Sequence, residues 1–496
     1  MFARTVSAKE VETHSRETDI WIVVNGKVYD VTEFAPTHPG GAQIIYQYAG
    51  KDASVEYNSA HSSSLIATEL HGSCIGELDT STVPPSWLTS VATEAAPTHS
   101  PQTPRHPPPL SEALSLKDFE KIARDQLSPK SWAFNSGAAN DNLTRDANQT
   151  MLQRIWLRPA IMRDVSAVTT RRTLLGCRFT VPIYIAPVGA AKSVWVEGEL
   201  PLARAAYQAG IVQCIATTAS HSLAEILDAT PEQAWLQVYI NRDRSRTEAQ
   251  IRQATVSGKV KGFLITADLP VMSKREADER LKPDGGRGLV VSLNQQQPRG
   301  APPMNGNAGL AKSNSSFIDS TLNWKDIPWL RSLTELPLLI KGVQRAEDAH
   351  LALRFGLDGI VVSNHGGRAA DTAPPSILTL LEIRRDCPEA FEKMVVLVDG
   401  GFRRGSDVVK AVCLGASAVG LGRPFTYALT YGEPGVLHAI EVLKQEVETA
   451  MQLVGLTDLQ DASPRYINTA ALDRLLPPNN SLLPEELAAD WARVKL

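Results

Sequence analysis

Cysteine is scarce in this chain. Its 496 residues hold five, Cys74, Cys177, Cys214, Cys387 and Cys413, widely scattered and without a Cys-x-x-Cys pair. That usage excludes a disulfide framework and a clustered-cysteine zinc site, and it fits reduced, mostly buried thiols. No apolar run approaches the eighteen or so residues that cross a bilayer, so no membrane span is expected. An excess of one charge is also missing: 50 Lys and Arg face 54 Asp and Glu, a net −4. Such a balance offers nucleic acid and anionic membrane surfaces no handle. The opening MFARTVSAKEVETHSRETD carries acidic residues early, so it reads as neither a secretory signal nor a transit peptide. The closing Val-Lys-Leu lacks the small first residue of a peroxisomal address. A cytoplasmic protein is expected.

What is present is an ordinary globular composition, 43% hydrophobic and 21% charged, at a length for two or three domains or one small domain and one barrel. Residues 1–79 form the first unit. Trp21–Val24, Asn25-Gly26 and Lys27–Val31 predict a β-hairpin on an Asn-Gly turn. VYDVTEFAPTHPGG follows, then a helical Ala42–Tyr48 and a second helical stretch ending near His61. This segment resembles the cytochrome b5 family over nearly its whole length. The resemblance implies a small α+β domain with haem b held between His38 and His61. Two imidazoles filling both axial positions favour electron transfer over oxygen chemistry. The other histidines (His14, His71, His99, His106, His221, His350 and His438) fall in no comparable pattern and read as structural or solvated.

Residues 80–110, rich in Pro, Ser, Thr and Ala, read as a tether that cannot bury enough surface to fold alone. From 111 to 478 apolar runs alternate with helical patterns. After a helix at Leu116–Leu127, strands are expected at Pro182–Ala186, Val212–Ala216, Ala234–Tyr239, Gly262–Ala267, Pro337–Ile340, Gly359–Val362, Val395–Val398 and Ala418–Leu421. Eight such runs predict an α/β fold, a (β/α)8 TIM barrel. Lys282–Ser316, rich in Gly, Pro, Asn, Gln and Ser, reads as an exposed loop or lid. Residues 479–496 end in a short amphipathic helix.

Polar residues cluster where the strands end: Gln237, Tyr239, Asp268, Lys341, His365, Asp399 and Arg423. A barrel builds its active site there. In VVSNHGGRAAD, a neutral His365 can take a proton near pH 7 and Arg368 can clamp a carboxylate with paired hydrogen bonds. DGGFRRG after the seventh run and GLGRP after the eighth form the usual phosphate cradle of a barrel.

With IAPVGAAKSVWVEGE, WLQVYINRDR, ITADLPVMSKREAD, LLIKGVQRAEDA, VVSNHGGRAADTAP, VDGGFRRGSDVVKA and GLGRPF in order, the barrel resembles the FMN-dependent L-2-hydroxy-acid oxidases and dehydrogenases. The two units together resemble the lactate-oxidising flavocytochromes. The resemblance implies His365 as base, Asp268 as its partner, Arg368 and Arg275 as carboxylate binders, and Tyr239 as a hydrogen-bond donor to substrate. Lys341 would stabilise the reduced flavin, Gln237 and Thr266 would bond its ring, and Asp399, Gly401, Arg403, Gly422 and Arg423 would hold the remainder of FMN. It also implies a homotetramer and a one-electron acceptor such as a c-type cytochrome.

Four positions depart from the family. Phe134 stands where a substrate-binding tyrosine is usual, losing a hydrogen bond to a carboxylate worth roughly 1.5–3 kcal/mol. Ala216 replaces a polar neighbour of the flavin, and Thr218, with Gly189, replaces bulk beside the substrate side chain. A roomier, more polar pocket is expected, hence lactate or a larger L-2-hydroxy acid. Two rivals remain at this point: an oxidase that yields hydrogen peroxide, and a catalytically weak flavin- and haem-binding electron-transfer module.

Overall fold

The computed structural model describes residues 4–38, 42–66, 72–84, 107–281 and 317–478, with Leu70 and Trp87. The expected loop at Lys282–Ser316, the C-terminal helix within 479–496, and 85–86 and 88–106 of the tether lie outside the described residues.

The first unit is built on the expected hairpin. Strands Asp19–Val24 and Lys27–Asp30 pair antiparallel across Asn25 and Gly26, whose φ values of 51° and 76° give the two left-handed positions of a primed turn. Cys74–Asp79 pairs on Lys27–Asp30, and Thr5–Ser7 closes the far edge. Helices Ala42–Gln47 and Ser54–Ala60 cover one face of this sheet and bury Ile20, Ile22, Tyr29, Val31 and Ile45 between them. The first residues of the expected tether pack on this unit. Thr80–Thr82 make a 3-10 turn, Thr82 Oγ1 accepts from the Ala8 amide, and Trp87 packs on the second apolar face with Val6, Trp21 and Val28. At its other end the Pro108 carbonyl accepts from Tyr431 Oη, 2.7 Å away.

The second unit is a closed parallel barrel whose eight strands follow in sequence order. They run Ile183–Val188, Val212–Ile215, Ala234–Val238, Val260–Thr266, Leu338–Val343, Gly359–Val362, Val395–Asp399 and Ala418–Leu421. All eight expected strands are present, shifted by up to three residues at their ends. Buried Val, Ile and Leu fill both faces, as required of strands covered by helices outside and side chains inside. The 23-residue helix Gly432–Val454 packs across Leu200–Ala209 and Gly405–Cys413. Among the described residues no helix is long and apolar enough to cross a membrane.

Candidate active site

The C-terminal strand ends converge on a cleft of about 1130 Å³ including its open mouth. His365 follows the sixth strand in the turn His365–Gly367. The backbone there is held in the left-handed region for three residues running, with φ of 59° at His365, 61° at Gly366 and 81° at Gly367. The two glycines tolerate this; the histidine is braced into it. Its amide donates to Ser363 Oγ at 3.0 Å, and the Gly367 amide donates to Asn364 Oδ1 at 2.9 Å. Asn364 is in turn locked in a reciprocal amide pair with Asn148, 2.9 Å each way.

So braced, His365 Nδ1 lies 2.9 Å from Asp268 Oδ1, and its Nε2 lies 3.3 Å from Tyr239 Oη. The carboxylate fixes the proton on Nδ1, leaving the Nε2 lone pair toward the cleft. Burial pushes the imidazole pKa below its usual value, outweighing the upward pull of Asp268. The ring is therefore neutral at pH 7. Burial alone would raise Asp268, but His365 and Lys341 together hold it below the ordinary carboxylate range. Asp268 and Thr266 do not line the cleft; they orient groups that do.

Lys341, on the fifth strand, is buried with Nζ 3.1 Å from Ser363 Oγ and 3.6 Å from Asp399. Ser363 Oγ donates onward to Asp399 Oδ1 at 2.6 Å. Burial opposes the ammonium charge, yet Asp399 and Asp268 raise its pKa to about 12. Gln237 is equally constrained: Oε1 accepts from the Thr217 amide, and Nε2 donates to Thr266 Oγ1 at 2.9 Å.

Among the described residues lining the cleft are five cations, Arg275, Lys341, Arg368, Arg403 and Arg423, and one carboxylate, Asp399. Burial and mutual repulsion lower the guanidinium pKa values, Arg275 and Arg368 to about 10 and Arg423 to about 9. Arg275 Nε is buried without a hydrogen-bond partner. Such a cleft calls for anions, which is what an FMN phosphate and a substrate carboxylate supply. The loop Asp399–Gly401 is pressed so close that a Cβ on Gly401, at φ 88°, would lie 2.4 Å from the Asn148 backbone. Gly422 opens the helix Arg423–Ala428 beside it.

Two arginines differ from expectation in where their donors go. Arg368 donates to the Phe134 and Asn135 carbonyls at 2.8 and 2.7 Å, its guanidinium carbon 5.8 Å from the Phe134 ring centroid. Arg423 donates to the carbonyls of Asn135, Gly137 and Gly366. Those three bonds leave one N–H on each terminal nitrogen for an anion in the cleft. Arg403 Nε faces Glu120 at 3.5 Å. Gly189 and Thr218 form one feature: a Cβ on Gly189 would fall 2.1 Å from Thr218 Oγ1. The space released by the glycine is filled by the threonine side chain, so the pocket gains polarity there rather than free volume.

In the first unit His38 and His61 face each other with ring centroids 6.3 Å apart, across an apolar cleft lined by Ile22, Val31, Phe34, Ile45, Ala60 and Ile66. Two imidazoles on opposite sides of one metal, with metal–nitrogen bonds of about 2 Å, need a gap of about this size. His61 Nδ1 is buried without a partner, and burial, then His38, depress its pKa well below the usual value. The cleft fits a flat apolar macrocycle with a central iron.

The two clefts are joined through the backbone of a haem-side histidine. Lys192, in the turn Ala191–Ser193 after the first barrel strand, donates from Nζ to the His61 carbonyl at 2.7 Å and to Asn58 at 3.4 Å. Ser62 donates from its amide to the Ser220 carbonyl at 3.2 Å and from Oγ to Glu225 at 2.9 Å. Sequence reasoning missed Ser363, Asn364, Asn148 and Lys192. Ser363 and Asn364 stand inside the His365 motif, and only that adjacency could have marked them.

Residues 123–469 match the FMN-dependent dehydrogenase family, and residues 7–79 match the cytochrome b5-like haem/steroid binding domain. The chain is 39% identical over 490 residues to an L-lactate dehydrogenase (cytochrome) of Wickerhamomyces anomalus, covering 96% of this chain and 82% of that protein. Among solved structures, a doubly substituted flavocytochrome b2 with pyruvate bound is 37% identical with a TM-score of 0.66, over 77% of this chain and 92% of that one. Mandelate oxidase with (S)-4-hydroxymandelic acid is 36% identical with a TM-score of 0.65, over 72% and 98%.

Proposed function

The chain belongs to the FMN-dependent dehydrogenase family and carries a cytochrome b5-like domain ahead of the barrel; from this we propose that it oxidises an L-2-hydroxy acid, lactate or a larger analogue, to the 2-keto acid. Bound FMN supplies the two-electron acceptor, and bound haem b the one-electron outlet to a partner such as a c-type cytochrome. Residues 1–79 serve as the haem domain, 80–110 as tether, 111–478 as the dehydrogenase barrel and 479–496 as tail, in a cytoplasmic homotetramer.

In this reading Arg368 and Arg275 hold the substrate carboxylate, which places its carbinol against His365 and Tyr239. His365 Nε2 takes the proton that the carbinol gives up on oxidation. Asp268, already bonded to Nδ1, stabilises the imidazolium so formed. Lys341 fixes positive charge at the floor of the cleft, where the flavin gains negative charge. Gln237, Asp399, Gly401, Arg403, Gly422 and Arg423 bind the cofactor, and His38 and His61 ligate the haem iron. The observation that carries this reading is His365 held by Asp268 and opening into a cleft rich in buried cations.

The test is anaerobic. Holoprotein is mixed with a panel of L-2-hydroxy acids while flavin bleaching and haem reduction are followed together. At least one acid is expected to bleach the flavin, with the haem following. If no acid in a broad panel reduces either group, the proposal fails. Stoichiometric peroxide in air, with an idle haem, would instead identify an oxidase. Light scattering of the same sample checks the tetramer, and fluorescent tagging in cells checks the compartment.

A further inference from the structure

Outside the cleft, three side chains of different donor type meet where the chain turns toward the seventh barrel strand. His350 lies on the helix Ala346–Arg354, Cys387 follows the helix Ser376–Asp386, and Glu389 precedes the helix Ala390–Lys393. His350 Nδ1 is 3.4 Å from Cys387 Sγ and 3.2 Å from Glu389 Oε1. The three ligand atoms all lie within 4.8 Å of one another. Nothing in the dehydrogenase chemistry uses them, and from sequence alone His350 reads as structural or solvated.

The protons make this trio unusual. His350 Nε2 lies 3.1 Å from the Asp386 carbonyl. A carbonyl oxygen only accepts, so Nε2 carries the hydrogen, and a ring with that single proton presents a lone pair at Nδ1. The Cys387 thiol can donate to that lone pair. The Glu389 carboxylate cannot; it faces the lone pair at hydrogen-bonding distance with nothing between. A cation at the centre resolves the conflict, and so does a second ring proton. The geometry favours the cation. With metal–nitrogen and metal–oxygen bonds of about 2.0–2.1 Å and a metal–sulfur bond of about 2.3 Å, tetrahedral ligand atoms stand roughly 3.3–3.6 Å apart, close to the 3.4 and 3.2 Å from His350 Nδ1 to the sulfur and the carboxylate oxygen. The Nε2–carbonyl bond is the outer anchor that metal-binding histidines usually have.

We propose that His350, Cys387 and Glu389 form a binding site for a zinc-type divalent cation. The donor set selects the metal: thiolate with imidazole and carboxylate suits borderline ions such as Zn²⁺, whereas Mg²⁺ and Ca²⁺ take oxygen ligands. Cys387 is buried, while the His350 and Glu389 side chains are 20% and 37% exposed. Metal can therefore enter from solvent, and a water completes the fourth position. Bound there, the ion would tie the helix after the fifth strand to the connection that leads into the seventh.

Full-length protein loaded with FMN and haem is treated with chelator, dialysed against buffered Zn²⁺, and its bound zinc measured elementally. The expected result is one zinc per chain. The dissociation constant should rise on the order of a hundredfold in Cys387→Ser and about tenfold in Glu389→Gln, with zinc raising the unfolding temperature of the parent alone. Glu389 is exposed enough that Glu389→Gln keeps its fold, and flavin and haem absorbance verify this for both variants. Equal zinc uptake by the parent and both folded variants, or none by the parent, overturns the proposal.

Discussion

Replacing Lys192 by methionine should separate the two halves of the reaction. The side chain keeps its length and loses the charge that bonds the His61 carbonyl at 2.7 Å and Asn58 at 3.4 Å. A hydrogen bond from a charged donor contributes about 1.5–3 kcal/mol net. Lys192 is half-buried, and solvent screening brings the expected loss to about 1–2 kcal/mol. At 1.4 kcal/mol per factor of ten, the equilibrium constant for docking the haem domain on the barrel falls about 5- to 30-fold. The two bonds through Ser62 remain and keep docking from vanishing. In anaerobic stopped-flow mixing with a good substrate, flavin bleaching should stay within about twofold of the parent, since Lys192 does not line the flavin cleft. Haem reduction should slow, by up to that factor. Hydrogen exchange supplies a readout independent of turnover: the Ser62 amide, donated to Ser220, should exchange faster in the variant. Haem reduction at the parental rate with normal cofactor content would refute the reasoning.

Three further outcomes are expected. Phe134→Tyr returns a hydroxyl beside Arg368 and should raise kcat/KM for small 2-hydroxy acids by about tenfold; an unchanged value shows that Arg368 and Arg275 already saturate the carboxylate. Gly189→Ala should destabilise the protein by about 1–3 kcal/mol in denaturant titration, because its Cβ would sit 2.1 Å from Thr218 Oγ1 and 2.8 Å from the Thr218 carbonyl. Thr218→Ala in the same chain should recover part of that loss, and simple additivity in the double-mutant cycle would sink the idea. The acid limb of kcat/KM should lie below pH 6.5, since His365 works neutral and burial lowers its pKa. Asp268→Asn removes the carboxylate that pulls this pKa up, so the limb should move to still lower pH while the rate falls on the order of 10²- to 10⁴-fold. A limb that moves upward contradicts the assigned geometry.

Much of the barrel was legible because parallel strands buried on both faces are written as unbroken apolar runs. Gly359–Val362 and Ala418–Leu421 were bounded correctly by this signal alone. The apolar run Pro182–Ala186 understates its strand: Pro187 looks like a stop, yet the strand continues to Val188 through a register shift that spares the missing amide. Lys261 hid the early start of Val260–Thr266 in the same way, a polar residue in a half-buried position. The His365–Asp268 pair was visible only through family resemblance, since its partners lie far apart in the chain. Where a side chain spends its donors is not written locally at all. Arg423 followed a phosphate-type glycine loop, but its guanidinium is turned onto three carbonyls. Nothing near Lys192 in the chain marks it as the donor to the His61 carbonyl, 131 positions earlier.

The left-handed run from His365 to Gly367 bears on whether this chemistry could be transplanted. A designer copying His365, Asp268 and Arg368 onto another eight-stranded scaffold would carry over the reacting atoms but not their posture. A histidine at φ 59° relaxes to an ordinary conformation unless its neighbours forbid it, and relaxation swings the imidazole off its carboxylate. The smallest portable unit is therefore larger than the triad. It includes Ser363, which receives the His365 amide, Asn364, which receives that of Gly367, and Asn148, two hundred positions earlier, which pins Asn364. A graft of three residues would look right on paper and idle in solution; one that also carries these partners and the Gly366-Gly367 turn has the posture built in.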